Sequence, residues 1–318
     1  MKENSNPADG RGGFQPSKDL PDFSGRRSVR LKERIIEILL FLAAFSSVAI
    51  TAGIVGVLVY ESFAFFSHVS LVEFFTDTLW TPLFAAPRFG ILPLVAGTLV
   101  TTAVALTVAL PIGSVVAIYL SEFAPRVVRE ILKPALELLS AVPTVVYGYF
   151  ALLFVAPLLQ KLIPGLPTFN MLSAGIVMGI MIIPYVSSLS EDAMRAVPMS
   201  LRESAYALGA NRIITALRVV YPAALSGVIA SYILAISRAL GETMIVAIAA
   251  GMQPNLTLDP REPAATITAF IVQVSLGDLP HGSIGYQSIF AAGLTLFVMT
   301  FVFNIIGFYL RKRFREAY

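Results

Sequence analysis

Six uncharged, largely apolar runs occupy most of this 318-residue chain, at 38–60, 89–121, 138–160, 162–190, 219–237 and 279–310. A helix rises 1.5 Å per residue, so about 20 apolar residues cross the hydrocarbon core of a bilayer. Each run reaches or nearly reaches that length. Composition agrees: 56% of the residues are hydrophobic and 14% charged, whereas a soluble domain carries about a quarter charged residues. Two further apolar stretches, 243–258 and 264–277, are shorter. The first reads as a helix continuation, the second as a re-entrant or surface segment. The chain therefore reads as an all-α integral membrane protein with six transmembrane helices.

The basic residues orient these helices. Residues 1–34 hold Lys2, Arg11, Lys18, Arg26, Arg27, Arg30, Lys32 and Arg34. The loop 122–137 holds Arg126, Arg129 and Lys133, and the loop 191–218 holds Arg195, Arg202, Arg212 and Arg218. The C-terminal residues 311–318 add Arg311, Lys312, Arg313 and Arg315. Against these nineteen, the alternate loops carry only Arg88, Lys161 and Arg261. The positive-inside rule then places both termini in the cytoplasm. Three segments follow: a basic tail at 1–34, too polar to fold by itself, a membrane domain at 35–310, and a basic tail at 311–318. The first apolar run is too long for a signal-peptide core and lacks a clear cleavage site, so it is expected to be retained.

One cation escapes this partition. Arg238 stands inside apolar sequence, where a mid-bilayer arginine costs about 2.5–3.5 kcal/mol on insertion scales. Glu242 follows four residues later, so a continuous helix would put the two on one face, within reach of each other. The pair reads either as a polar point in a transmembrane pathway or as an arginine snorkelling outward beside a neutralising neighbour. No cysteine is present and the two histidines, His68 and His281, fall in predicted loops. Disulfides and thiolate chemistry are excluded, and neither a metal site nor a cofactor is expected. No G-x-x-x-x-G-K-[ST] pattern occurs, so no phosphate-binding loop for ATP is expected. No nucleophile and base stand together as catalytic residues would, and the basic residues flank spans without interleaved aromatics, which argues against nucleic-acid binding.

The loop 191–222 has its own pattern. Ser200 with Glu203 spells a capping box, Gly209 suits a left-handed position after a helix, and Asn211 can cap a second short helix ending near Tyr221 and Pro222. Two short helices below the membrane are the expected result. The spacing Glu203-Ser204-Ala205, three residues, Gly209, nine residues, Val219-x-Tyr221-Pro222 resembles the EAA loop of bacterial ABC importer permeases. The family pattern has alanine, isoleucine and leucine where this chain has Ser204, Val219 and Tyr221. Four further strings in order extend the resemblance: Phe89-Gly-Ile-Leu-Pro93, Ser140-Ala-Val-Pro143-Thr144, Arg238-Ala-Leu-Gly-Glu242-Thr243-Met244 and Ala249-Ala-Gly251-Met-Gln-Pro254. Together they resemble the phosphate-specific importer permeases, the C subunit more than the A subunit.

The resemblance implies a MetI-like permease fold with cytoplasmic coupling helices, and several partners. These are a second permease subunit, cytoplasmic ATPase subunits, an extracytoplasmic phosphate-binding protein, phosphate and the surrounding lipid. It implies that Glu203, Ser204, Ala205, Gly209 and Pro222 couple to the ATPase, and that Arg238, Glu242 and Thr243 lie on the substrate pathway. A permease for another oxyanion, molybdate or sulfate, remains open, because an arginine reads charge rather than the identity of a tetrahedral anion. A secondary transporter or channel would use intramembrane charge too, but would not need the 200–222 segment. Two further expectations concern the outer face. The aromatics Phe74, Phe75, Trp80, Phe84 and Phe89 suit an interfacial belt or simple loop packing. The acids Glu61, Glu73, Asp77, Asp259, Glu262 and Asp278 suit a docking partner or ordinary solvation.

Overall fold

The computed structural model describes residues 27–314 except 85, 278 and 281, with side chains described from residue 32. The expected N-terminal tail before Arg27, together with Asp278, His281 and Arg315, lies outside the described residues. Two compact units are distinguished, residues up to Ile54 and residues from Val55 onward. Helix α1 (Arg27–Phe66) begins in the first unit and ends in the second. All described side chains of residues 32–54 are exposed. Apolar side chains left open over that length belong against lipid or another membrane helix.

In the second unit, the short α2 (Leu71–Thr76) is capped by Ser70, which accepts from the Val72 amide. Then α3 (Leu92–Ile118) opens with Pro93 in its first turn, where a missing N–H costs nothing. An amphipathic α4 (Arg126–Ala141) follows. The next crossing, Thr144–Leu162, is made of α5 (Thr144–Phe150), a π turn and α6 (Ala156–Leu162). Helix α7 (Met171–Arg195) is capped by Asn170, which accepts from the Ser173 amide. The loop helices α8 (Met199–Ala207) and α9 (Arg212–Thr215) lead through a π turn into α10 (Tyr221–Ala223) and α11 (Leu225–Leu240). The chain ends with α12 (Met244–Ala249), α13 (Ile267–Ser275) and α14 (Ile284–Arg313).

Among the described residues, five helical stretches are long and apolar enough to cross a bilayer. The pair Arg212–Ala223 and Leu225–Leu240, bent by 71°, makes six if counted as one broken span. The apolar run at 138–160 starts its crossing later than expected, at Thr144, because residues through Ala141 belong to α4. The three π turns, at Tyr119–Phe123, Ala151–Val155 and Ala216–Val220, each end two residues before a proline: Pro125, Pro157 and Pro222. A proline removes one backbone donor and crowds the carbonyl four residues back. A locally wider turn relieves that crowding.

Helices α3 and α7 form the spine of this unit. Small residues line the seam, with Ala105, Ala109 and Gly113 on α3 and Ala174 and Gly179 on α7, packed among the buried Met178, Met181 and Ile182. A Cβ placed on Gly179 would stand 2.7 Å from the Ala105 carbonyl oxygen. Membrane helices gain little from burying apolar surface, so contact of this closeness is what holds them together. The sequence alone allowed close packing or a pathway role for Gly97, Gly148 and Gly227. Each now faces atoms within 3 Å of where a Cβ would be.

Of the two readings of the loop aromatics, belt or loop packing, the structure shows packing for three of the five: Phe74, Trp80 and Phe89 join a core. Phe65, Phe74, Trp80 and Phe89 are buried with Phe270, edge to face, with Trp80 and Phe270 centroids 5.0 Å apart. Only Phe75 and Phe84 of the expected belt are exposed. Quadrupole geometry favours such edge contacts over stacking. Within this unit the basic loops meet at one end of the bundle: Lys133 reaches Glu191 and Asp192, and Arg202 reaches Glu122. The base-poor loops meet elsewhere, where the Met171 and Leu172 amides donate to the Glu262 and Pro260 carbonyls.

Gly179→Val should destabilise the purified protein by about 1–3 kcal/mol, the usual cost of overpacking a filled core. Gly56→Val, where nothing lies within 4 Å, should not. Thermal unfolding in detergent compares the two; equal midpoints would mean that the α3–α7 seam is not tight.

Candidate functional site

Two groupings of polar residues interrupt the apolar bundle. The first is the loop between α7 and α11. Helix α8 begins two residues before the expected position, with Pro198 rather than Ser200 at its cap, and no side chain among the described residues caps it. The Ser200–Glu203 capping box is therefore not formed: Ser200 is already inside the helix, and Glu203 is exposed. The other end matches expectation. Gly209 takes φ +84°, its amide bonds to the Tyr206 carbonyl, and the Ala210 amide bonds to the Ala205 carbonyl. These two bonds make a Schellman motif, which ends the helix in a fixed direction. Asn211 then caps α9, accepting from the Ile214 amide at 2.9 Å. Glu203, Ser204 and Gly209 are exposed around this turn, whereas Ala205 is buried and faces inward. Pro222 stands apart, beyond the π turn, in the first turn of α10.

A residue absent from the sequence-based candidates anchors this loop. Arg202 is almost fully buried and donates to both carboxylate oxygens of Glu122, with Nη2 to Oε1 at 2.9 Å and Nε to Oε2 at 3.3 Å. It also donates to the Val197 and Met194 carbonyls. The guanidinium thus ties α8 to the π turn after α3 and to the last turn of α7. A buried pair of this kind stabilises little in net terms, but losing one partner strands a buried charge at a cost of about 3–5 kcal/mol. Beside it, the fully buried Glu191 accepts from Lys133 at 2.7 Å and from Arg195 at 3.5 Å. Burial opposes the Lys133 charge, but hydrogen bonds to Asp192 and Glu191 outweigh it and raise its pKa above the ordinary lysine value. The one available signal was two carboxylates, Glu122 and Glu191, each at the edge of an uncharged run and followed by basic residues.

The second grouping lies at the junction of α11 and α12. The expected pairing of Arg238 with Glu242 is not made. Helix α11 ends at Leu240, and the Glu242 amide turns back to the Ala239 carbonyl. Four residues put two side chains on one face only while the helix continues. Arg238 instead lies over the Tyr185 ring of α7, its guanidinium carbon 4.9 Å from the centroid. Its Nε is buried and, among the described residues, has no hydrogen-bond partner. The Glu242 carboxylate accepts from the Met244 amide at 3.1 Å and the Ile245 amide at 3.4 Å, at the start of α12. The cation thus sits at a helix C-terminus and the carboxylate at a helix N-terminus, each favoured by the local peptide dipoles. Thr243 is half-buried at the break and donates to the Gly241 carbonyl.

This arrangement also sets where Arg238 stands along α7. Because the chain bends at Ala224, α11 starts at Leu225, six residues later than the run at 219–237 suggested. Tyr185 lies mid-way along α7, roughly 21 Å from Met171 and 15 Å from Arg195 at 1.5 Å per residue. The arginine therefore packs against the middle of α7 rather than at either of its ends. The segment after α12 closes around the break: Thr268 Oγ1 donates to the Glu242 carbonyl at 2.6 Å, and the Ile267 amide donates to Thr98 Oγ1. Gly97 makes room, since a Cβ there would stand 2.3 Å from the Ala265 carbonyl oxygen.

On the base-poor side, the acids are partly paired with the arginines there. Asp77 meets Arg88 at 3.4 Å, and Arg261 donates to Asp259, holding that carboxyl down at about 2. Among the described residues, no group of three or more His, Asp or Glu is placed to hold a metal ion.

Residues 109–316 match the family described as binding-protein-dependent transport system inner membrane component. A probable ABC transporter permease protein, YqgH of Bacillus subtilis, is 34% identical over 86% of this chain and 87% of its own length. The phosphate transport system permease protein PstC of Mesorhizobium japonicum is 35% identical, over 76% of this chain and 78% of its own length. Among solved structures, a bacterial ABC transporter involved in the import of the acidic polysaccharide alginate aligns with TM-score 0.60 at 16% identity. That match covers 90% of this chain and all of the other. The MetNI methionine ABC transporter, in an inward-facing conformation, aligns with TM-score 0.52 over 71% of this chain and 95% of the other, at 15% identity. At such identities the two structures speak for the fold alone. The chain is a multi-pass membrane permease belonging to the family of binding-protein-dependent transport system inner membrane components.

Proposed function

We propose that this chain is a permease subunit of an ATP-driven importer of inorganic phosphate, forming half of the translocation pore in the bacterial inner membrane. The observation that carries this reading is Arg238, packed against the middle of α7 at a helix C-terminus with an Nε that has no hydrogen-bond partner among the described residues, in a chain whose relatives include phosphate transport permeases. In the same reading both termini are cytoplasmic, a second permease completes the pore, and two ATPase subunits grip the basic end. A phosphate-binding protein delivers substrate at the opposite face, where Glu73 and Glu262 add negative charge. ATP hydrolysis belongs to the ATPase subunits, and this chain makes no covalent bond to phosphate.

The chain's own residues then divide the work. Glu203, Ser204, Ala205 and Gly209 form the helix and turn that the ATPase moves, and Pro222 opens the helix that carries this motion on. The Arg202–Glu122 pair passes the displacement of α8 to the end of α3 (Schellman turn and ion pair move as one body). Arg238 attracts the anion, and Tyr185 holds the guanidinium face without neutralising it, a cation–π contact of about 0.5–2 kcal/mol. Glu242, held by two amides, limits how tightly the anion binds, and Thr243 offers a hydroxyl beside it. Conduction requires binding weak enough for release. A permease for sulfate or molybdate would use the same charge, so uptake of labelled phosphate, sulfate and molybdate by the reconstituted complex is the direct test. Preference for sulfate or molybdate would overturn the phosphate reading.

Arg238→Gln should lower phosphate uptake roughly tenfold or more, the scale of losing a charged hydrogen-bond donor, while the complex still assembles. Uptake at the wild-type rate would remove Arg238 from the pathway. Glu242→Gln keeps an acceptor for the Met244 and Ile245 amides, so it should slow anion release without lowering the unfolding midpoint.

The coupling assignment has a separate test. Gly209→Val meets no neighbouring atom within 4 Å, so its penalty is the left-handed backbone alone, about 1–2 kcal/mol. ATP-dependent uptake should fall while the protein still reaches the membrane; unchanged ATPase association and uptake would reject it.

A further inference from the structure

Where the ends of α3, α4 and α7 meet α8 and α9, a cavity of about 330 Å³ opens among Arg129, Arg195, Arg202, Arg212, Ser121 and Tyr206. It is distinct from the Arg238 site, and its charge is not balanced. Arg129, Lys133, Arg195, Arg202 and Arg212 face three carboxylates, Glu122, Glu191 and Asp192, which leaves two positive charges over. The nearby Arg126 and Glu130 pair with each other and change nothing.

The donors are also unequally used. Arg202 spends four of its five N–H donors on Glu122 and two carbonyls and forms a fixed wall. Arg129 spends its Nε on the Leu120 carbonyl and Arg195 one Nη on Glu191, which leaves each further guanidinium donors. Arg212 lies over the Phe123 ring, 5.3 Å from the centroid, and among the described residues its guanidinium donates no hydrogen bond. Guanidinium forks match the oxygens of a phosphoryl group in geometry and charge. Basic pockets between membrane helices at the cytoplasmic side are suited to phosphate-bearing head groups.

We propose that this cavity is a binding site for a phosphoryl oxyanion, supplied either as free inorganic phosphate or as the phosphodiester of an anionic lipid head group. The bound group bridges Arg212 of α9 to Arg129 of α4 and Arg195 of α7. It thereby pins the loop that carries α8 and α9 against the ends of the membrane helices. The site does not depend on which anion the pathway carries. As free phosphate it lets the anion on the basic side steady that loop; as a head group it makes the loop's stability depend on the surrounding lipid.

The test uses the full assembled complex carrying Arg238→Gln, so that the pathway arginine contributes no phosphate binding. Thermal unfolding is followed with millimolar inorganic phosphate against chloride of equal ionic strength, and separately in nanodiscs of phosphatidylglycerol against phosphatidylcholine. The expected result is a rise in midpoint of roughly 2–4 °C in at least one arm, lost in Arg212→Gln and Arg195→Gln and kept in Arg212→Lys. A rise in the phosphate arm identifies the free anion, and a rise confined to the phosphatidylglycerol arm identifies the lipid. Arg212 makes only a ring contact, so its replacement leaves the fold intact and the comparison interpretable. No rise in either arm, or a rise that survives both glutamine substitutions, overturns the proposal. So does loss of ATPase association in the variants with the rise unchanged, which would assign the arginines to an acidic protein partner.

Discussion

The close approach of α3 and α7 is the contact on which the rest of this fold stands. In hydrocarbon, lipid tails solvate a leucine as well as a neighbouring helix does, so apolar burial does little to hold helices together. Backbones that nearly touch do more, because dispersion accumulates over many short contacts. Ala105, Ala109 and Gly179 permit that approach. Helices α11, α12 and α13 then assemble on the spine, with the Tyr232 hydroxyl 2.6 Å from Ser114 Oγ and Ser190 Oγ 2.8 Å from Ser231 Oγ tying α11 to α3 and α7.

Charge is admitted to this bundle in two ways. At the basic end, Glu122 and Glu191 are buried but saturated by arginine and lysine donors, so the loop carrying α8 is mechanically continuous with α3 and α7. Against the middle of α7, Arg238 and Glu242 are kept apart by a helix break that satisfies each with local dipoles, and among the described residues the arginine retains an unused donor. The first arrangement spends its charge on structure. The second leaves a guanidinium donor unspent.

Much of the basic-end loop was legible in its residues. Gly209 and Asn211 behave as their types dictate, because a left-handed residue after a helix and an amide side chain before one are local problems with local solutions. The capping box at Ser200 and Glu203 was not realised, since Pro198 starts α8 two residues sooner. The π turns were readable in hindsight from Pro125, Pro157 and Pro222. The aromatic cluster was not, because only the return of Phe270 from a distant segment buries Trp80 and makes a core of what spacing alone presents as a belt.

The sequence by itself determined an all-helical membrane protein, the grouping of its basic loops, and the turn at Gly209. Each rests on run length, charge or a single residue's conformational range. Tertiary structure alone decided the place of Arg238 against the middle of α7, its separation from Glu242, the Arg202–Glu122 anchor and the cavity beside it. Those depend on where helices stop and bend: at Gly241 the fourth residue no longer returns to the same face, and at Ala224 a 71° turn shifts the next helix along its axis. Helical periodicity gives the neighbours of a residue only within one unbroken helix, and this site is built where helices end.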